Sequence, residues 1–160
     1  MTTSESSSSS ARSRLSEAAE LTAYAGIIPF VLCPLGMAFL PRYAERELAQ
    51  EVALAYGAAV LAAAGAVHWG LALAGRISWR AQRIAGCTLP ALAGAASVVL
   101  SGQRGLALLV VASGIFWLYE HRAVANELPE DYLKLRRNLT LAGCSLLAFT
   151  MILSDTVGLS

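Results

Sequence analysis

The chemistry-bearing residue that stands out is His68, in GAVHWGLALAG at positions 65–75, inside a run of 24 residues (52–75) without one Asp, Glu, Lys or Arg. An imidazole in such surroundings can bridge helices, line a ligand pocket or hold a metal or haem, and Trp69 beside it adds an apolar ring with one N–H donor. Counted from the nearer end of its own apolar run, His68 lies about eight residues deep, or ~12 Å along a helix. The same count on the other runs reaches Pro29, Ser113 and Leu146, the last beside Ser145. The spacing therefore predicts an intramembrane polar cluster of His68, Trp69, Ser113 and Ser145, with the carbonyl of Ala25 released by Pro29. Burial disfavours an imidazolium where no carboxylate is near, so His68 is expected neutral. A histidine bridging helices by a hydrogen bond is worth about 0.6–2 kcal/mol, and that structural role is the first reading. A pocket for a quinone, lipid or isoprenoid around His68 and Trp69 is the second.

Other chemistry is thin. There is no Gly-x-Ser-x-Gly elbow for a nucleophilic serine. Two histidines at different depths do not supply the three or four clustered ligands of a zinc site, nor two axial ligands for one haem. Every Asp and Glu lies outside the apolar runs or at their edges, which argues against magnesium chemistry and against a carrier that uses a buried acid. Glu120, His121, Asp131 and Tyr132 group near one end and read as a solvated loop. Cys33, Cys87 and Cys144 form no Cys-x-x-Cys pair and read as small buried hydrophobes. No catalytic residue, no metal and no cofactor is assigned, and the reading leans away from an enzyme.

The elements that must position these residues follow from charge patterning. Of the 160 residues 56% are apolar and 14% charged, against about 25% charged in an ordinary soluble domain. The charges are clustered, leaving five free runs at 21–41, 52–75, 84–103, 105–119 and 138–154. Crossing ~30 Å of hydrocarbon takes roughly 17 to 25 apolar residues. Three runs suffice outright, the fifth is marginal, and the fourth must extend past a snorkelling Arg104. A soluble bundle would return a charge every turn on its wet face, and none of the runs does. The fold class is therefore all-α: a polytopic, five-transmembrane-helix bundle with approximate spans 21–41, 52–75, 84–103, 105–120 and 138–156. A Ser-rich tail, 1–18, is expected to be disordered, and 19–158 form the transmembrane domain.

Basic residues divide nine to three between the two sides: Arg12, Arg14, Arg76, Arg80, Arg83, Arg122, Lys134, Arg136 and Arg137 against Arg42, Arg46 and Arg104. The positive-inside tendency then places the N-terminus in the cytoplasm and the C-terminus outside. The location is a bacterial inner membrane, or the mitochondrial inner membrane if the chain is eukaryotic. A net charge of +1 gives no footprint for nucleic acid. Pro29 and Pro34 should break helix one. In helix two, Ala58, Ala62, Ala66, Gly70 and Ala74 recur every four residues and are expected to pack against protein, either another membrane protein or a second copy. Pro129, Glu130 and Asp131 suit the start of a short cytoplasmic interfacial helix leading into helix five.

Two stretches, YGAAVLAAAGAVHWGLALAG and LPEDYLKLRRNLTLAG, together with the IPF of helix one, resemble the signatures of a bacterial and mitochondrial family labelled a domain of unknown function, which includes transmembrane protein 69. The resemblance runs from residue 20 to about 155. It implies a small multi-pass protein without an established activity. The function expected is that of a non-catalytic accessory subunit or an assembly or scaffold factor for a membrane complex, with small-molecule binding as the alternative.

Overall fold

The computed structural model describes residues 18, 20–40, 42–76, 81–123 and 130–157. The tail at 1–17 and the loop prolines Pro41 and Pro129 lie outside the described residues. Within them the chain is helical and without strands: α1 (Ile28–Phe39), α2 (Tyr43–Leu73), α3 (Ala81–Leu100), α4 (Gly102–Ala123) and α5 (Glu130–Val157). With the turns that precede α1, each forms a helix long and apolar enough to cross a membrane. Large apolar side chains such as Leu32, Phe39, Val99 and Ile115 are exposed, which a lipid surround would cover and water would not.

Helix boundaries follow local chemistry. The first span breaks at Gly26–Ile27, and α1 resumes with Pro29 in its first turn, where the missing N–H costs nothing. The freed carbonyl of Gly26 accepts a hydrogen bond from the Tyr56 hydroxyl of α2 at 2.9 Å. The expected break appears just before Pro29, with the carbonyl answered being that of Gly26, whereas Pro34 lies inside α1 without ending it. Charged turns beginning at Tyr43 lengthen α2 to 31 residues. It ends where Gly75 takes φ +68°. There the amides of Gly75 and Arg76 donate to Ala72 and Leu71, closing the last turn. The helix expected after Pro129 begins at Glu130 and runs without interruption into the last span.

Central in the bundle is α2, which packs on α1, α3, α4 and α5, while α1 and α5 close the ring. The core gathers Phe30, Leu54, Leu61, Leu106, Leu109, Phe116 and Leu147. The α2–α3 contact is close enough for backbone to meet backbone. A Cβ on Gly65 would lie 2.6 Å from the Cys87 carbonyl oxygen, and one on Gly94 would lie 2.9 Å from that of Ala58.

The four-residue stripe of α2 divides between the bundle interior and its outer surface. Ala58 is buried and Ala62 half-buried, but Ala66, Gly70 and Ala74 are exposed. Steps of four advance about 40° more than a full turn, so such a row winds off the buried face. The face that stays inside follows steps of three and four: Leu54, Gly57, Leu61, Ala64, His68 and Ala72.

Gly65→Ala should therefore lower stability by about 1–3 kcal/mol, because the added methyl overpacks against fixed backbone. Gly70→Ala, with nothing within 4 Å of its Cβ, should be neutral or stabilising by up to about 1 kcal/mol. Thermal unfolding in detergent checks both.

Candidate polar site between α2, α4 and α5

The buried ring of His68, 1% exposed, lies on the inward face of α2 five residues before its end. Its Nδ1 is 3.2 Å from the Ala64 carbonyl oxygen of the preceding turn. Its Nε2 points across to α4, 3.6 Å from Oε1 of Glu120. Glu120 is itself 1% exposed, and its other oxygen, Oε2, accepts a hydrogen bond from Nε of Arg136 on α5 at 3.0 Å. Three helices thus converge on one carboxylate.

Helical register explains the convergence. On α4, Leu106, Leu109, Phe116 and Glu120 are all buried, and their spacing, with Ser113 filling the gap, is that of one inward stripe. On α5, Arg136 precedes Thr140, Gly143, Leu147 and Thr150 at steps of four and three, and the last two side chains are buried. Aromatic rings box the trio. Phe116 meets the His68 ring edge-to-face at a centroid distance of 5.4 Å, and the Arg136 guanidinium carbon lies 5.8 Å from the Phe116 centroid. Tyr119 stands 6.4 Å from His68.

The predicted cluster is rearranged accordingly. His68 is buried, but the side chain facing its Nε2 is Glu120, itself held by Arg136, and the carbonyl it meets is that of Ala64. Trp69, next in sequence, is about half exposed, since adjacent helical residues point about 100° apart. Ser145 is exposed. Ser113 lines a different feature, a cavity of about 120 Å³ between α1, α2, α4 and α5 that Tyr56, Thr140, Cys144 and Arg136 also border. Glu120, read from sequence as part of a solvated loop, is buried, whereas His121 beside it is exposed and stacks on Trp117. Asp131 has no described side chain. The inward stripe of α4 was the available signal: continued at its own spacing, it lands on Glu120.

No group of three or more metal-ligating side chains occurs among the described residues. What the trio can do is carry charge and position helices. A carboxylate enclosed this way is tolerable only because partners answer it. Removing one leaves a buried charge.

Comparison with known proteins now places the chain. Residues 15–152 match the model of a family described as protein of unknown function, DUF3429. The chain belongs to that family. No curated protein and no solved structure matches it.

Arg136→Ala should cost about 3–5 kcal/mol by leaving Glu120 without its cation, while Ser145→Ala should change stability by less than about 0.5 kcal/mol. Equilibrium unfolding in one detergent distinguishes them, and equal effects would contradict the geometry.

Proposed function

We propose that this is a multi-pass inner-membrane protein, N-terminus in the cytoplasm and C-terminus outside, that serves as a non-catalytic accessory subunit or an assembly or scaffold factor for a larger membrane complex. Kinship with transmembrane protein 69, through the three sequence motifs, belongs to the same reading. The observation that carries it is the outward course of the small residues on α2: Ala66, Gly70 and Ala74 are exposed, and nothing lies within 4 Å of a Cβ built on Gly70. A second helix can approach closely along such a strip, where van der Waals packing is the main source of association. The His68–Glu120–Arg136 trio supports the reading from inside, since it joins three helices and stiffens the end of the bundle from which the strip is presented.

Gly70→Leu tests this. It should reduce the mass of the complex extracted in mild detergent, or of a self-associated form, while leaving unfolding of the monomer within about 0.5 kcal/mol of wild type. Unchanged assembly with Leu at position 70 would remove the basis for the proposal. Orientation has its own check: a tag after Ser160 should react with an impermeant reagent on intact cells, and a tag before Met1 should not.

The second reading, a small-molecule binder, draws support from the cavity bordered by Arg136, Tyr56 and Ser113. Such a ligand would lie on the α1–α5 side of the trio, away from Trp69. Co-purified lipid or quinone that is lost in Ser113→Leu, from a protein otherwise monomeric, favours this reading over the first.

A further inference from the structure

We infer that His68 and Glu120 together form a binding site for one proton, held between Nε2 and Oε1 in the interior of the bundle and tying α2 to α4. The argument starts from two facing polar atoms. Nε2 of His68 and Oε1 of Glu120 are both buried, and neither has a hydrogen-bond partner. They stand 3.6 Å apart and face each other, and among the described residues neither meets another hydrogen-bond partner. The remaining ring nitrogen, Nδ1, meets the Ala64 carbonyl at 3.2 Å, and a carbonyl can only accept. A neutral ring protonated at Nδ1 satisfies Ala64 and sets the Nε2 lone pair against a carboxylate oxygen. A neutral ring protonated at Nε2 satisfies Glu120 and sets the Nδ1 lone pair against the carbonyl. One additional proton removes both conflicts, as an imidazolium facing a carboxylate or as an imidazole accepting from a carboxylic acid.

The surroundings suit that proton. From α5, Arg136 holds the other carboxylate oxygen, and Tyr132 stands one turn before it. From α4, Tyr119 flanks the ring; from α3, Arg83 and Cys87 act on Tyr119. The titratable side chain of α1 is Cys33, buried in the core. With the proton bound, the trio carries one net positive charge. That charge resides next to Arg136, whose side chain keeps 18% exposure and borders the cavity with Tyr56, Ser113 and Thr140. Losing the proton restores the lone-pair conflict and weakens the contact between α2 and α4, which makes packing at this end of the bundle dependent on proton occupancy.

The test uses full-length protein in lipid with ¹⁵N-labelled histidine and His121→Asn, which removes the exposed second imidazole and leaves the site untouched. Across about pH 5 to 8, nitrogen shifts and the carboxyl infrared band should reveal the proton in one of two ways. Either both nitrogens of His68 are protonated, or Nδ1 alone is protonated together with an acid C=O band that disappears in Glu120→Gln. Raising the pH should release one proton per chain, and His68→Gln should lose that release. A ring carrying a single proton, with no acid band anywhere in that range, overturns the inference. The spectra of the His121→Asn protein decide the matter even if His68→Gln does not fold.

Discussion

Glu120 imposes the constraint around which this bundle is arranged. A carboxylate without access to water has lost its hydration, and only protein groups can replace it. Here the replacements come from two other helices, the Arg136 guanidinium of α5 and the His68 ring of α2. Each contact fixes the rotation of its helix about its own axis as well as its distance. Dispersion between apolar side chains tolerates many rotations of similar energy, whereas a buried charge held at 3.0 Å by Arg136 and faced at 3.6 Å by His68 tolerates few. The buried pair is thus better understood as selecting one arrangement of α2, α4 and α5 than as adding net stability, because desolvation offsets much of the attraction.

Close approach of backbones supplies what the ion pair does not. Gly65 and Gly94 bring α2 and α3 together at distances a Cβ would forbid, and the many dispersion contacts made there accumulate without a hydrophobic drive. At the other flank, the break in the first span would leave a carbonyl unanswered, and Tyr56 answers it from α2. In both places α2 is the provider. Its central position follows from carrying small residues on the side facing α3 and polar hydrogen-bonding groups on the sides facing α1 and α4.

The two ends of the molecule differ in character. The α1–α2 and α3–α4 connections are short and hold no buried ionisable side chain among the described residues, while the opposite end concentrates the trio and the aromatic box around it. Membership in a family of unknown function assigns no chemistry to that end. The geometry does define its character, because charges, two facing buried polar atoms without hydrogen-bond partners and a small polar-edged cavity all lie together.

Five helices were legible in the chain because charges are excluded from long runs, and exclusion is a property of composition along the sequence. The break near Pro29 and the two-sided distribution of basic residues were legible for the same reason, since each is written in its own neighbourhood. The site was only half legible. His68 announced itself by being polar among apolar residues, but Glu120 stood at the boundary of its run, where a local reading assigns it to solvent. Only the inward stripe of α4, compared with where α2 and α5 actually lie, reverses that assignment. The small-residue row shows a related limit: a repeat of four looks continuous in one dimension, yet it winds from the buried face at Ala58 to the outer face at Ala74. Which helices cross, where they begin and what breaks them were determined by residues acting on their own surroundings. Which carboxylate is buried, and which cation and imidazole meet it, was decided by the rotation of helices against one another, because burial depends on neighbours that are distant in sequence.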